Sequence, residues 1–296
     1  MYRRFYGLTR NPFELSPDPY FFYPTPLHNE AFAILNYCVL RRKGFVVVTG
    51  EVGTGKTLLL RCLLDALNHN QIASALVYNP RLSVTEFLAY VLTDLQVPFT
   101  GRTKGEMLSQ LNNYLLHRSR RGTTTVLIVD EAHLLNWELL EEIRLLTNLE
   151  TSQYKLLQIV LVGQPELDRK IDSDELRQLK QRIAMRCRLE PMGLKDLRGY
   201  IRRRLELAGA TSHAETIFSE KAIQAIHHFS CGIPRLANTL CENSLISGYG
   251  RQLKHVTAAI VQEIAADLRL NSGSEPFALE SDGLEGRKKV FRVVSE

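Results

Sequence analysis

The chain has 296 residues, of which 45 % are apolar and 23 % charged, with a formal net charge of +5. These are ordinary values for a soluble globular protein long enough to bury one large core or two smaller ones. No apolar run reaches the ~18 residues of a membrane helix, and Met1 to Gly7 lacks the apolar stretch of a signal peptide. Cys38, Cys62, Cys187, Cys231 and Cys241 are scattered, without a C-x-x-C pair. That excludes a disulfide framework and predicts reduced thiols in a cytoplasmic protein. The positive charge admits anionic partners but is too mild to demand nucleic acid. Basic clusters at Arg41-Arg42-Lys43, Arg118-Ser119-Arg120-Arg121 and Arg202-Arg203-Arg204 read first as solvated helix faces.

Residues 1–26 are dense in proline and aromatic residues, which disfavours helix and makes full solvation costly. An extended arm packed on the domain that follows is expected. It could offer an apolar wall to a flat ring. Residues 27–41 carry apolar positions at helical spacing.

The run Phe45-Val46-Val47-Val48-Thr49 reads as a buried strand. It leads into Gly50-Glu51-Val52-Gly53-Thr54-Gly55-Lys56-Thr57, a full G-x-x-x-x-G-K-[ST] phosphate-binding pattern. A triphosphate needs converging backbone N–H groups, and glycines permit that wrapped loop. Lys56 is expected on the β- and γ-phosphates of ATP, and the Thr57 hydroxyl on Mg²⁺. Leu58 to Leu67 continues as a helix whose N-terminus faces the phosphates.

A second strand is expected from Ile72 to Tyr78, ending at Asn79-Pro80. Ser83 should cap a helix through Leu95, and another helix should span about 104–117. Thr124 to Val129 reads as a strand that ends in Asp130-Glu131. After a phosphate loop, the first carboxylate is expected to hold Mg²⁺ and the second to polarise the attacking water. A helix is expected from Trp137 to Leu149. The strand from Leu156 to Val162 ends at Gly163-Gln164, which places Gln164 as a candidate contact to the γ-phosphate or the water. Alternating strands and helices predict an α/β parallel sheet with ligand at its carboxyl ends.

Beyond Glu190 the alternation stops. Helices are expected near 194–208, 219–229, 234–248 and 256–269, forming a small all-helical domain. The expected organisation is an arm (1–26), an α/β core (27–190), a helical lid (191–270) and a mobile tail (271–296).

The α/β core, the helical lid and Gly232-Ile233-Pro234-Arg235 at the start of a lid helix together resemble AAA+ ATPases. That resemblance implies a lid arginine, matched by Arg235, that senses the γ-phosphate. It also implies an arginine finger acting on a neighbouring subunit, matched by Arg182 with Arg186 as the alternative, and hence a homo-oligomer. Asn79 matches the polar residue that restrains the catalytic glutamate. Tyr6-Gly7-Leu8, Asn11-Pro12-Phe13, Pro17-Asp18-Pro19, the phosphate loop, Val129-Asp130-Glu131-Ala132-His133 and Val162-Gly163-Gln164-Pro165-Glu166-Leu167 resemble the general secretion pathway protein A family over roughly residues 1–270. The resemblance implies partners in envelope secretion, pilus or polysaccharide export, and a cytoplasmic station, with the inner-membrane periphery as the second expectation. The membrane span and peptidoglycan-binding domain of that family find no match in these residues. Similar motifs in transposition-accessory ATPases leave ATP-gated DNA binding as the alternative function.

Overall fold

The computed structural model describes residues 1–16, 18–99, 103–211 and 213–270. The tail expected at 271–296 lies outside the described residues. Five strands form one parallel sheet: β1 (Phe45–Gly50), β2 (Ala73–Val77), β3 (Thr125–Val129), β4 (Leu157–Gly163) and β5 (Met185–Leu189), in the order β2-β3-β4-β1-β5.

The inner strands β1, β3 and β4 read as nearly continuous apolar runs because helices cover both faces. Side chains alternate across the pleat. Phe45, Val47, Leu127, Val129, Ile159 and Leu161 enter one core with helices α3 (Val84–Asp94), α4 (Lys104–Arg120) and α5 (Trp137–Leu146). Val46, Val48, Val126, Ile128, Val160 and Val162 enter the other, against α1 (Pro26–Leu40) and α2 (Lys56–His69). Register aligns the carboxyl ends: Thr49 pairs with Gly163, and Val129 with Leu161. The loops that follow β1, β3 and β4 therefore emerge side by side.

Helix starts follow local chemistry. Ser83 and Thr103 each close a reciprocal capping box, with Glu86 and Glu106 respectively. Thr25 caps α1, with Pro26 in its first turn. A short helix, α6 (Glu166–Ile171), follows β4. Beyond the sheet come α7 (Leu194–Leu207), α8 (Glu220–Ser230), α9 (Pro234–Gly250) and α10 (Ala258–Asp267). They close a third hydrophobic cluster of their own.

The N-terminal arm packs chiefly on the lid, although its Pro19–Phe22 end also touches the domain that follows it in sequence. Tyr2, Tyr6, Leu8, Phe13 and Phe21 are buried in the cluster of the distant lid helices. Polar anchors fix the choice. Tyr2 Oη donates to Glu242, Tyr6 Oη donates to the Leu253 carbonyl at 2.9 Å, and Thr9 N–H donates to the Ala208 carbonyl at 2.7 Å. The Arg204 guanidinium, itself buried, donates to the Pro12 carbonyl and lies under the Phe21 ring at 4.8 Å. The arm is also not wholly extended, since Tyr2–Phe5 forms a helical turn and Pro19–Phe21 a 3-10 turn.

No described helix is long and apolar enough to cross a membrane. All five cysteines are unpaired, and Cys38, Cys187 and Cys241 are buried.

Candidate nucleotide site

The phosphate loop turns between β1 and α2 on left-handed glycines. Gly55, at φ +97°, is the N-cap of α2, and Gly53 has φ +84°. Space forbids a side chain at either place. A Cβ on Gly55 would meet the His28 ring at 2.9 Å, and one on Gly53 would meet Arg235 Cβ at 2.7 Å. Lys56 is buried, and its Nζ donates to the Gly50 and Glu51 carbonyls at 2.8 and 2.9 Å. Burial lowers the Lys56 pKa, opposed by the carboxylates of Glu131 and Asp130. The ammonium is therefore aimed back across the loop mouth, where a phosphate can take over its hydrogen bonds.

Asp130 is buried at the end of β3. Its Oδ1 accepts the Glu131 N–H at 2.9 Å, and its Oδ2 lies 3.5 Å from Thr57 Oγ1. Burial raises this carboxyl above its ordinary range, and the Glu131 N–H pulls it back. A hard cation would replace the missing hydration of such an oxygen pair, so Thr57 and Asp130 fit Mg²⁺. Glu131 stands in the left-handed region at φ +50°. Its Oε2 is buried without a hydrogen bond, 3.3 Å from His133 Nδ1. Glu131 and Gln164 both line a cavity of about 300 Å³ above the loop, together with Lys56, Thr57 and Arg235.

The lid and arm complete that cavity. Arg235, the first turn of α9, donates its N–H to the Gly53 carbonyl at 3.4 Å. Tyr200 and Arg204 of α7, Asn238 of α9, and Glu14 and Asp18 of the arm form the opposite wall. A wider surface hollow of about 790 Å³, near Arg4 and Tyr249, touches none of the loop residues.

Three expected residues are not drawn in. Asn79 is exposed and accepts the Arg81 N–H at 3.3 Å in a local turn, so it does not line the cavity beside Glu131. Arg182 is exposed and donates to Asn148 Oδ1 at 3.1 Å, outside the chain's own cavity. Arg186 pairs with Asp172 at 3.2 Å and reaches Asp168 at 3.6 Å.

Sequence reasoning missed three others. His133 sits between the ends of β3 and β4, where its Nδ1 is also 3.4 Å from the Gln164 N–H. A neutral Nδ1 accepts from Gln164, whereas a protonated one donates to Glu131, so the ring can serve only one of them at a time. Asp168 accepts from Thr49 Oγ1 at 2.6 Å, tying α6 to the strand before the loop. His28 lies under the loop itself. His133 stood in the quoted motif Val129-Asp130-Glu131-Ala132-His133 without a role, whereas Asp168 and His28 were polar side chains whose sequence neighbours do not tell a buried partner from a surface residue.

A family model described as an AAA domain matches residues 40–171. General secretion pathway protein A of Aeromonas hydrophila is 43 % identical over 252 residues. The chain has an AAA-type P-loop NTPase fold and is similar to that protein. The aligned region is 85 % of this chain, and the chain spans about half the length of the relative (45 %). Solved AAA-type folds superpose at lower identity. Cdc6p of Pyrobaculum aerophilum is 20 % identical with a TM-score of 0.63, covering 84 % of this chain and 70 % of that one. The Aeropyrum pernix ORC1 protein, in complex with DNA, gives 19 % and 0.61, covering 88 % and 69 %. The Thermotoga maritima RuvB Holliday junction branch migration motor gives 18 % and 0.53, covering 81 % and 68 %.

Proposed function

We propose that this chain binds and hydrolyses ATP, and uses the cycle to drive conformational change in an envelope secretion, pilus or polysaccharide-export assembly. The observation that carries the enzymatic part is one cavity that holds Lys56, Thr57, Glu131, Gln164 and Arg235 together. Hydrolysis of a phosphoanhydride asks mainly for positioning and charge neutralisation. Loop amides and the Lys56 ammonium bind and orient the β- and γ-phosphates. Glu131 accepts the proton of the attacking water through its free Oε2. Gln164 orients that water by hydrogen bonding, and Arg235 reads the γ-phosphate from the lid. Thr57 and Asp130 would hold Mg²⁺, which supplies further charge neutralisation when bound.

Arg182 is proposed to act on the nucleotide of a neighbouring copy. The assignment of export as the client rests on the relative's name and on the identity across 85 % of this chain.

The basic clusters support this reading over DNA binding to the extent that several of their arginines pair within the chain. Arg202 pairs with Glu206 and Glu215, and Arg203 reaches Glu206 at 3.7 Å. Arg42 donates to the Gly122 carbonyl at 2.9 Å and covers the Tyr154 ring, and Arg118 donates to the Gln71 carbonyl at 3.2 Å.

Titration with a fluorescent ATP analogue tests the site. Lys56→Ala should weaken binding by about 10²-fold or more, and ATP should protect the lid from trypsin in the wild type but not in this variant. Equal affinity in the two proteins would place the nucleotide elsewhere.

A further inference from the structure

We infer that His28, at the start of α1, is a positioning residue of the phosphate loop: it fixes the Thr54–Gly55 peptide so that the Gly55 amide faces the phosphates. The inference rests on the nucleotide reading above.

His28 is buried beneath the loop, at 4 % exposure. Its Nε2 lies 3.0 Å from the Thr54 carbonyl oxygen, and its Nδ1 lies 2.7 Å from Thr25 Oγ1. The partners' chemistry assigns the ring's protons. A carbonyl can only accept, so Nε2 carries a hydrogen and donates to Thr54. A neutral ring then has a bare Nδ1, which accepts from the Thr25 hydroxyl. That hydroxyl in turn accepts the His28 N–H at 3.3 Å as the N-cap of α1. The chain of bonds runs from helix cap to ring to loop, with a direction at every step. Burial favours the neutral ring and so reinforces it.

The consequence follows from peptide geometry. The Thr54 C=O and the Gly55 N–H belong to one planar trans unit and point in opposite directions. Holding the carbonyl down onto His28 therefore turns the amide up, toward the cavity that Gly55 lines. Among the described residues no acceptor takes this amide. The same contact explains the empty space at Gly55, since a Cβ there would strike His28 Nε2 at 2.9 Å. Without His28, a left-handed glycine flanked by two more glycines within five residues can rotate the peptide at little cost. The amide would then be lost to the phosphates.

His28 touches no phosphate and is not a catalytic residue. The interaction it secures is equal for ADP and ATP, so its loss should act on binding rather than on turnover. His28→Leu removes the donor and keeps an apolar ring-sized filler. His28→Gln places an amide N–H near the Nε2 position. With fluorescent ADP and with ATP, each in the presence of Mg²⁺, His28→Leu should bind both about tenfold more weakly. His28→Gln should stay within about threefold of wild type. Turnover at saturating ATP should change by less than about twofold in both.

If wild type binds neither nucleotide, the nucleotide reading fails. If wild type binds and a folded His28→Leu binds equally well, the positioning role fails while that reading stands. Should His28→Leu not fold, ¹⁵N spectra of the wild-type histidines decide. A ring held as the Nε2–H tautomer from pH 8 to 6, whose resonances move on adding Mg-ADP, supports the inference. A ring that exchanges tautomers freely and ignores Mg-ADP overturns it.

Discussion

Two buried titratable groups at the loop give the protein opposite responses to acid. Burial holds the His28 ring below its ordinary 6.5. On lowering the pH through 6.5, the unfolded chain takes up a proton that the folded ring refuses. This contribution to stability is therefore complete above that pH and is lost as the pH falls toward the folded pKa. Asp130 has the reverse sign. Its carboxyl is raised above its ordinary 3.8, so the folded state binds that proton more tightly, and the cost of the buried charge is relieved as the pH falls through the raised value. Substituting the histidine isolates its share of the response. Differential scanning fluorimetry should find the wild-type unfolding temperature falling further between about pH 7.5 and 6 than that of His28→Gln, whose side chain does not titrate. Parallel falls would remove His28 from the acid response.

At the scale of elements, the arm belongs to the lid although the whole core lies between them in sequence. Phe13 is 1 % exposed and meets Phe218 edge-to-face at 6.1 Å, beside the Arg204 guanidinium. Phe13→Ala should cost about 3–5 kcal/mol of lid stability. The only tryptophan, Trp137, is the exposed first residue of α5, so its fluorescence reports on the unfolding of that helix of the α/β core. In urea, the helical circular-dichroism transition of Phe13→Ala should shift to lower concentration ahead of the tryptophan transition. Coincident shifts of equal size would mean that the arm stabilises the whole chain as one unit.

The strands β1, β3 and β4 were legible in the sequence because each is short, rich in Val and Ile and bounded by turn residues, and the phosphate loop because its glycines and lysine stand in fixed order. The arm's destination was not legible. Aromatic density announces burial, but Tyr2, Phe13 and Phe21 carry no mark of the lid as partner. The support beneath the loop was equally hidden: His28 is one of several polar residues in α1, beside Asn29 and Glu30, and only the folded register brings it under Thr54. Asn79 was named from its motif position, and in the structure its side chain accepts the Arg81 N–H in a local turn.

At the scale of the molecule, the exposed position of Arg182, which donates to Asn148 near Glu150, suits a role on a neighbouring copy. Its guanidinium would supply positive charge there to the transferred phosphoryl, an effect worth about 10³–10⁵ in rate. Mixing tests this. An Arg182→Ala subunit with an intact loop should regain turnover beside a Lys56→Ala subunit that donates its arginine. A mixture that assembles yet stays as inactive as either variant alone would end the trans-acting assignment.

The central claim is that Glu131 makes this cavity a hydrolytic site rather than a nucleotide store. Single-turnover phosphate release from ATP-loaded protein measures it most directly, in wild type and in Glu131→Gln. The variant should bind ATP as tightly as wild type and release phosphate about 10²-fold more slowly or worse. Equal release rates from the two proteins, at equal ATP occupancy, would contradict it.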